Sequence, residues 1–270
     1  MTGQEQNSVY IDTTKPHPAR IYDWFLGGKD NYPVDEEMAR QLLTLDARGR
    51  DMARTNRAFM HRSTRWLAGP GGMRQYLDIG RGIPTEPTLH QLAQQSAPDS
   101  RIVYTDNDPI VLRHAEALLR STPEGVTEYL QADAREPRSI IEQAAKVHDI
   151  SRPVALSLNA LLHFVSDEDG AYELVRDLVA PLAPGSHLAL SHVASDFDPE
   201  GAEKARQLYA QRGLTLAPRT REQFSRFFDG LELVEPGISL AAEWRPELGE
   251  RVEGTGDDPI PGWVAVARKP

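Results

Sequence analysis

The chain has 270 residues, no cysteine and a formal net charge of −10 at neutral pH. That removes disulfides, thiolate metal sites and cysteine nucleophiles, and it sets most of the surface against a phosphate backbone, so no nucleic-acid partner is expected. Apolar residues at 40% and charged residues at 26% are the balance of an ordinary folded protein, and no run approaches the roughly 18 apolar residues of a membrane span. The opening residues are polar and lack the apolar stretch of a signal peptide, so a cytoplasmic protein with no membrane contact is expected.

In chain order, residues 1 to about 18 carry Pro16 and Pro18 without an apolar period and read as a mobile arm. From 19 to about 45 the positions Ile21, Trp24, Phe25, Met38, Leu42 and Leu45 recur at helical spacing, broken by Gly27-Gly28 and Pro33. Two short helices joined by a loop over 27–32 follow from that. A longer helix over about 51–67 shows Met52, Phe59, Met60, Ser63 and Leu67 on one face, and Gly69-Pro70-Gly71-Gly72 ends it. Residues 19–70 therefore read as an N-terminal helical cap and 71–270 as the core. In the core, strands expected at 75–79, 101–105, 127–131, 154–158 and 187–192 alternate with helices at about 88–95, 109–119, 139–145 and 167–182. Helices at about 201–211 and 220–227 and late strands at 231–233 and 263–267 complete the pattern. The reading is an α/β fold: a mostly parallel, seven-stranded, Rossmann-like sheet with an antiparallel edge pair.

Three features at the carboxyl ends of the first three strands carry chemistry. Tyr76-Leu77-Asp78-Ile79-Gly80-Arg81-Gly82 runs a short apolar strand into a glycine turn, where the backbone can approach a nucleotide without Cβ atoms in the way. On its own such a turn is equally well purely structural. Asp106, in Thr105-Asp106-Asn107-Asp108, lies 24 residues beyond Gly82 and is placed to accept both hydroxyls of a ribose. Either acid there also suits a helix cap before Pro109; Asp108 is assigned the cap, which leaves Asp106 for ribose. Asp133, followed by Ala134, sits past the third strand, where an adenine amine needs an acceptor, although a turn aspartate fits equally. The turn continues Ile83-Pro84-Thr85 without a third glycine, which disfavours a dinucleotide dehydrogenase.

Together with Arg20-Ile21-Tyr22-Asp23, Gly27-Gly28-Lys29-Asp30-Asn31-Tyr32, Asn56-Arg57-Ala58-Phe59, Asp108-Pro109-Ile110-Val111-Leu112 and Leu162-His163-Phe164-Val165, these stretches closely resemble the actinobacterial S-adenosylmethionine (SAM)-dependent methyltransferase family once catalogued as a domain of unknown function. The resemblance runs from about residue 19 to 268, and its Gly-Gly-Lys-Asp-Asn-Tyr element is the most specific part. It implies a class I methyltransferase fold with SAM as cofactor. It lifts the 27–32 loop from a plain helix stop to a lid over the site, with Tyr22, Lys29 and Arg57 joining Asp78, Gly80, Arg81, Gly82, Asp106, Asn107, Asp133, Ala134 and Asn159 as cofactor-contacting candidates. Two positions depart from the pattern. Arg81 stands where the family carries a small residue, and either pairs with the SAM carboxylate, points to solvent or crowds the site. Thr88-Leu89-His90-Gln91 replaces an Asn-x-His-Glu element, and no role is carried onto that helix.

On the acceptor side, Asn159, His163 and His192 fall at the tips of the fourth and fifth strands. Methyl transfer is an in-line displacement, so the protein aligns the partners and removes a proton from an O–H or N–H acceptor, work that suits a histidine. The plain alternative for both histidines is a packed, hydrogen-bonded structural role. No His-x-His or His-Glu-x-x-His spacing supports a metal. The reading is a methyltransferase for a small-molecule acceptor and a candidate homodimer, with a non-catalytic SAM- or nucleotide-binding protein as the alternative.

Overall fold

The computed structural model describes residues 12–108, 110–111, 120–249, 252 and 259–270. Its centre is a sheet in the order β3-β2-β1-β4-β5-β8-β6. The parallel strands are β1 (Gln75–Ile79), β2 (Arg101–Asp106), β3 (Val126–Gln131), β4 (Ala155–Asn159) and β5 (His187–His192). The late strand β8 (Trp263–Arg268) runs antiparallel to β5 along its full length. Its outer edge is shared end to end by β6 (Glu232–Leu233) and β7 (Ser239–Leu240). Seven strands on the main path match the expected sheet; the two-residue β7 is an addition that no periodicity marks. The order reverses between β1 and β4, and an open parallel sheet binds ligands outside the carboxyl ends of its strands at such a switch point.

β1, β4 and β5 are buried on both faces because helices cover both sides, which is why they read as nearly continuous apolar runs. One face packs Leu77, Leu156, Leu158, Leu188 and Leu190 against α5 (Pro137–Ala144) and α6 (Ala171–Val179). The other packs Tyr76, Ile102, Tyr104, Val264 and Val266 against α3 (Gly49–Ala68) and α4 (Leu89–Ser96). Each fully buried aliphatic side chain contributes about 1.5–3 kcal/mol, so the two faces together supply most of the driving force.

This packing moves a boundary. Phe59, Met60, Leu67 and Ala68 of α3 belong to the sheet-covering layer, so α3 is part of the core's own sandwich. Of the three N-terminal helices, α1 (Pro18–Phe25) and α2 (Pro33–Leu45) stand off the sheet, packing Ile21, Met38 and Ala39 on Tyr209 and Leu216. Tyr209 belongs to α7 (Pro199–Gln211), the helix after β5. The described end of the expected arm is tied down: Pro16 is buried, the His17 amide donates to Asp35, and the buried Arg20 guanidinium donates to the Asp12 and Lys15 carbonyls. Most of the helix expected at 109–119 lies outside the described residues.

Candidate cofactor and active site

At the carboxyl ends of β1, β2, β4 and β5 the fold opens a cavity of about 600 Å³, in the size range of small-molecule and cofactor sites. Gly80 and Gly82 adopt φ of +72° and +67°, and a Cβ on Gly80 would lie 2.5 Å from the Leu161 side chain, so the turn after β1 needs both glycines. Asp106 closes that turn. Its carboxylate accepts from the Gly82 amide at 2.7 Å and from the Asp108 amide at 2.9 Å, which leaves lone pairs for further donors. Burial raises its pKa against the pull of those two amides. Asp108 caps the next segment by accepting from the Ile110 amide, as expected, and lies 3.2 Å from the His17 ring. Asn107, Asp133 and Ala134 line the same end. The Asp133 carboxylate is gripped by the Arg135 guanidinium and backbone amide, which lowers its pKa and keeps it an acceptor.

A chain of buried polar groups runs behind the turn. The Asn159 amide donates to Ser157 at 2.8 Å, and Ser157 in turn hydrogen-bonds Asp78. Burial raises the Asp78 pKa to about 6, opposed by Ser157 and the positive charges of Arg81 and Arg57. The Tyr22 hydroxyl donates to the Ala53 carbonyl and accepts from Asn56, whose carbonyl oxygen accepts from Ser191. This stitches α1 through α3 to the tip of β5. Ser191 also accepts from the amide of Ala160, held at φ +53° just past β4, a strained backbone of the kind found at functional sites. Arg57 donates to the Thr85 and Pro87 carbonyls, bracing the loop after the glycine turn. Asn56, Ser157 and Ser191 were not singled out from the sequence. The available signal was a small polar residue inside otherwise apolar strands, in Leu156-Ser157-Leu158 and Leu190-Ser191.

Two expectations need correction. Lys29 does not reach the cavity: it is exposed and absent from the lining, because the 27–32 loop is folded onto Asp23. Gly27, at φ +83°, ends α1 by donating to the Trp24 carbonyl; the Asp23 carboxylate accepts from the Asp30 amide and the Asn31 side chain. The wall over the site is α1 itself, whose Ala19, Ile21 and Tyr22 line it. A Cβ at Gly28 would sit 1.9 Å from an Asp23 oxygen, so Gly28→Ala is expected to cost about 1–3 kcal/mol of stability by overpacking. Denaturant unfolding measures this, and an unchanged midpoint contradicts it.

His192 is the second correction. Its Nδ1–H donates to the Val193 carbonyl and its Nε2 accepts from Arg219 at 2.7 Å, so both ring nitrogens are spent on the fold. Burial and the Arg219 charge lower its pKa to about 3; what sets it apart from His163 is that neither nitrogen is left for an acceptor's proton. His163, on the 3₁₀ turn Leu162–Phe164, differs: it lines the cavity, burial keeps it neutral, and its Nδ1 has no hydrogen-bond partner among the described residues. Of the three orientations open to Arg81, the one toward solvent is not adopted: its guanidinium lies 4.0 Å over the Tyr104 ring with its terminal nitrogens buried. Thr88 and His90 have structural work. Thr88 and Gln91 form the capping box of α4, and the His90 amide and ring hydrogen-bond the Tyr104 hydroxyl. Among the described residues, no group of three or more acids and histidines is placed to hold a metal, and no helix is long and apolar enough to cross a membrane.

A glycine turn after the first strand, an acid after the second, an acid after the third and a cavity joining them at the switch point define a class I, Rossmann-like methyltransferase. Within that class the chain belongs to the S-adenosyl methyltransferase family, whose sequence model matches residues 4–270. A DUF574-family protein from Streptomyces avermitilis is similar over nearly the whole chain, at 46% identity and a TM-score of 0.92, with 97% of this chain and 100% of that one covered. A Thermobifida fusca protein, named provisionally as a methyltransferase, is 36% identical at a TM-score of 0.86, with 96% of each chain covered. An O-methyltransferase family 2 protein from Planctomyces limnophilus shares the fold alone, at 18% identity and a TM-score of 0.50, over 87% of this chain and 61% of that one. No curated protein matches. The protein is a SAM-dependent methyltransferase of this actinobacterial family. The residues present fit the cofactor: Asp106 keeps acceptor capacity beyond its two amides, and the cavity lining includes Arg81 and Asn159, whose terminal nitrogens and Oδ1 are buried without a hydrogen-bond partner among the described residues.

Proposed function

We propose that the enzyme methylates an uncharged, largely apolar small molecule on oxygen or nitrogen, with His163 taking the proton. The carrying observation is the part of the cavity beyond the cofactor-binding arc. There Ile21, Phe25, Met52, Phe164, Tyr209 and Leu216 form the walls, and Arg48, the cation among them, is already paired with Asp46. Such a surface favours apolar area and offers little to an anion. In this reading adenine meets Asp133 and Ala134, ribose meets Asp106 and Asn107, and the methionine part runs past Gly80 and Gly82 toward Asp78, Arg57 and Tyr22. Bound SAM supplies a methyl group on a positively charged sulfur. Asn159, whose Oδ1 has no hydrogen-bond partner among the described residues, orients the acceptor beside His163. The neutral imidazole is in the protonation state that accepts a proton, and α1 with α7 excludes water from the transfer.

The test is transfer of labelled methyl from SAM to a panel of phenols, aromatic amines, sugars and carboxylic acids. Label on the uncharged aromatic members is the expected result; label confined to sugars or acids overturns the acceptor assignment. His163→Asn is expected to lower kcat about 10²-fold while S-adenosylhomocysteine affinity stays at the wild-type value. An unchanged kcat removes His163 from the chemistry.

A further inference from the structure

The least compensated charge in the site is Arg81. Its two terminal nitrogens are buried and without a hydrogen-bond partner among the described residues, and no ion pair there includes it. A buried guanidinium is costly unless paired, and stacking on the Tyr104 ring returns only part of that cost. The ring is a rigid shelf, because the His90 amide donates to its hydroxyl from the start of α4. The other cation of this corner, Arg57, is already engaged with the Thr85 and Pro87 carbonyls. Asp78 lies near enough to feel both cations and is held through Ser157. The corner therefore offers one free positive group and one acid a short way off, on the same turn that carries the cofactor. That arrangement matches a zwitterionic amino-acid head, carboxylate on the cation and ammonium by the acid.

We propose that Arg81 receives the α-carboxylate of the cofactor, so that this chain uses a side chain on the glycine turn itself as its carboxylate receptor. The inference rests on the cofactor placement under the proposed function. It explains why a large cation is tolerated where the backbone must pass close to the ligand: the side chain turns onto Tyr104, and the turn keeps both glycines. It also accounts for a buried charge that contributes nothing to the protein alone.

Calorimetric titration of the wild type, Arg81→Ala and Arg81→Lys with S-adenosylhomocysteine and with 5′-methylthioadenosine, which lacks the amino-acid head, tests this without turnover. The wild type is expected to bind S-adenosylhomocysteine more tightly than 5′-methylthioadenosine. Arg81→Ala should raise the S-adenosylhomocysteine Kd about ten- to a hundredfold, as loss of a charge-assisted contact does, and leave the other ligand unchanged, with Arg81→Lys between. The thermal midpoint of ligand-free Arg81→Ala should equal or exceed that of the wild type, because an unpaired buried charge is removed. Equal weakening of both ligands, no weakening of either, or a destabilised ligand-free variant overturns the proposal and makes Arg81 a shape or packing residue. Binding of 5′-methylthioadenosine without a preference for S-adenosylhomocysteine overturns the carboxylate assignment alone, whereas binding of neither by the wild type overturns the cofactor placement as well.

Discussion

Replacing Asp106 by alanine is expected to abolish measurable SAM binding. The carboxylate does two things at once. It accepts from the Gly82 amide and so fixes the turn that must lie against the cofactor, and it accepts from the Asp108 amide, which sets the start of the following segment. In the proposed placement its remaining lone pairs take the two ribose hydroxyls. Alanine removes hydrogen bonds to a charged group, worth about 1.5–3 kcal/mol each, and leaves the half-buried Gly82 amide and the buried Asp108 amide unpaired. The combined loss, about 4 kcal/mol or more, is roughly a thousandfold in Kd. Asp106→Asn keeps one acceptor oxygen and is expected to fall between. Calorimetric titration with SAM and S-adenosylhomocysteine reads the effect, with NAD as the ligand that should not bind to any variant. Near wild-type affinity in Asp106→Ala contradicts the ribose assignment.

The largest stability effect is expected at Arg219, a residue with no motif around it. It is 2% exposed and its guanidinium donates to the Leu162 and Val165 carbonyls, to His192 and to Asp167, between the rings of Tyr172 and Phe227. Those carbonyls bracket the turn that carries His163, so Arg219 locks that turn to β5 through His192. Arg219→Met keeps the bulk and removes every donor. Stranding two buried carbonyls and a histidine nitrogen costs about 3–5 kcal/mol, the ion pair itself adding little because Asp167 is 44% exposed. In a chain of this length that lowers Tm by on the order of 10 °C. Scanning calorimetry measures it, and a shift within about 2 °C would show that the turn holds without the clamp.

The layout of the core and of the strand-end turns was legible because both obey local rules. Apolar runs bounded by Gly and Pro locate β1, β2, β4 and β5 to within a residue or two. The glycine turn and the acids at 106 and 133 sit at strand ends, where a parallel sheet leaves no freedom about which way the cavity faces. Asp108 could be assigned its cap because capping is a contact across two residues. The same locality explains the errors. The Gly27-Gly28 loop resembles a lid in sequence, but its reason is one acid, Asp23, folded back beneath it. The periodicity of α3 marks a buried face without saying that the face lies on the sheet.

The sequence by itself determined the α/β alternation, the glycine turn, the acids after the second and third strands, and the family, since all of these are contacts or patterns within a few residues. The tertiary structure alone decided which histidine is free, because Arg219 reaches His192 from 27 residues away. It also decided that Asn56 and Tyr22 reach Ser191, across 135 residues of chain between Asn56 and Ser191. Finally it set the direction of Arg81, which depends on a tyrosine ring in the neighbouring strand. The physical reason is common to the three: burial sets a high cost on an unpaired polar group, and which partner meets that need is a matter of packing between distant segments that no local spacing encodes.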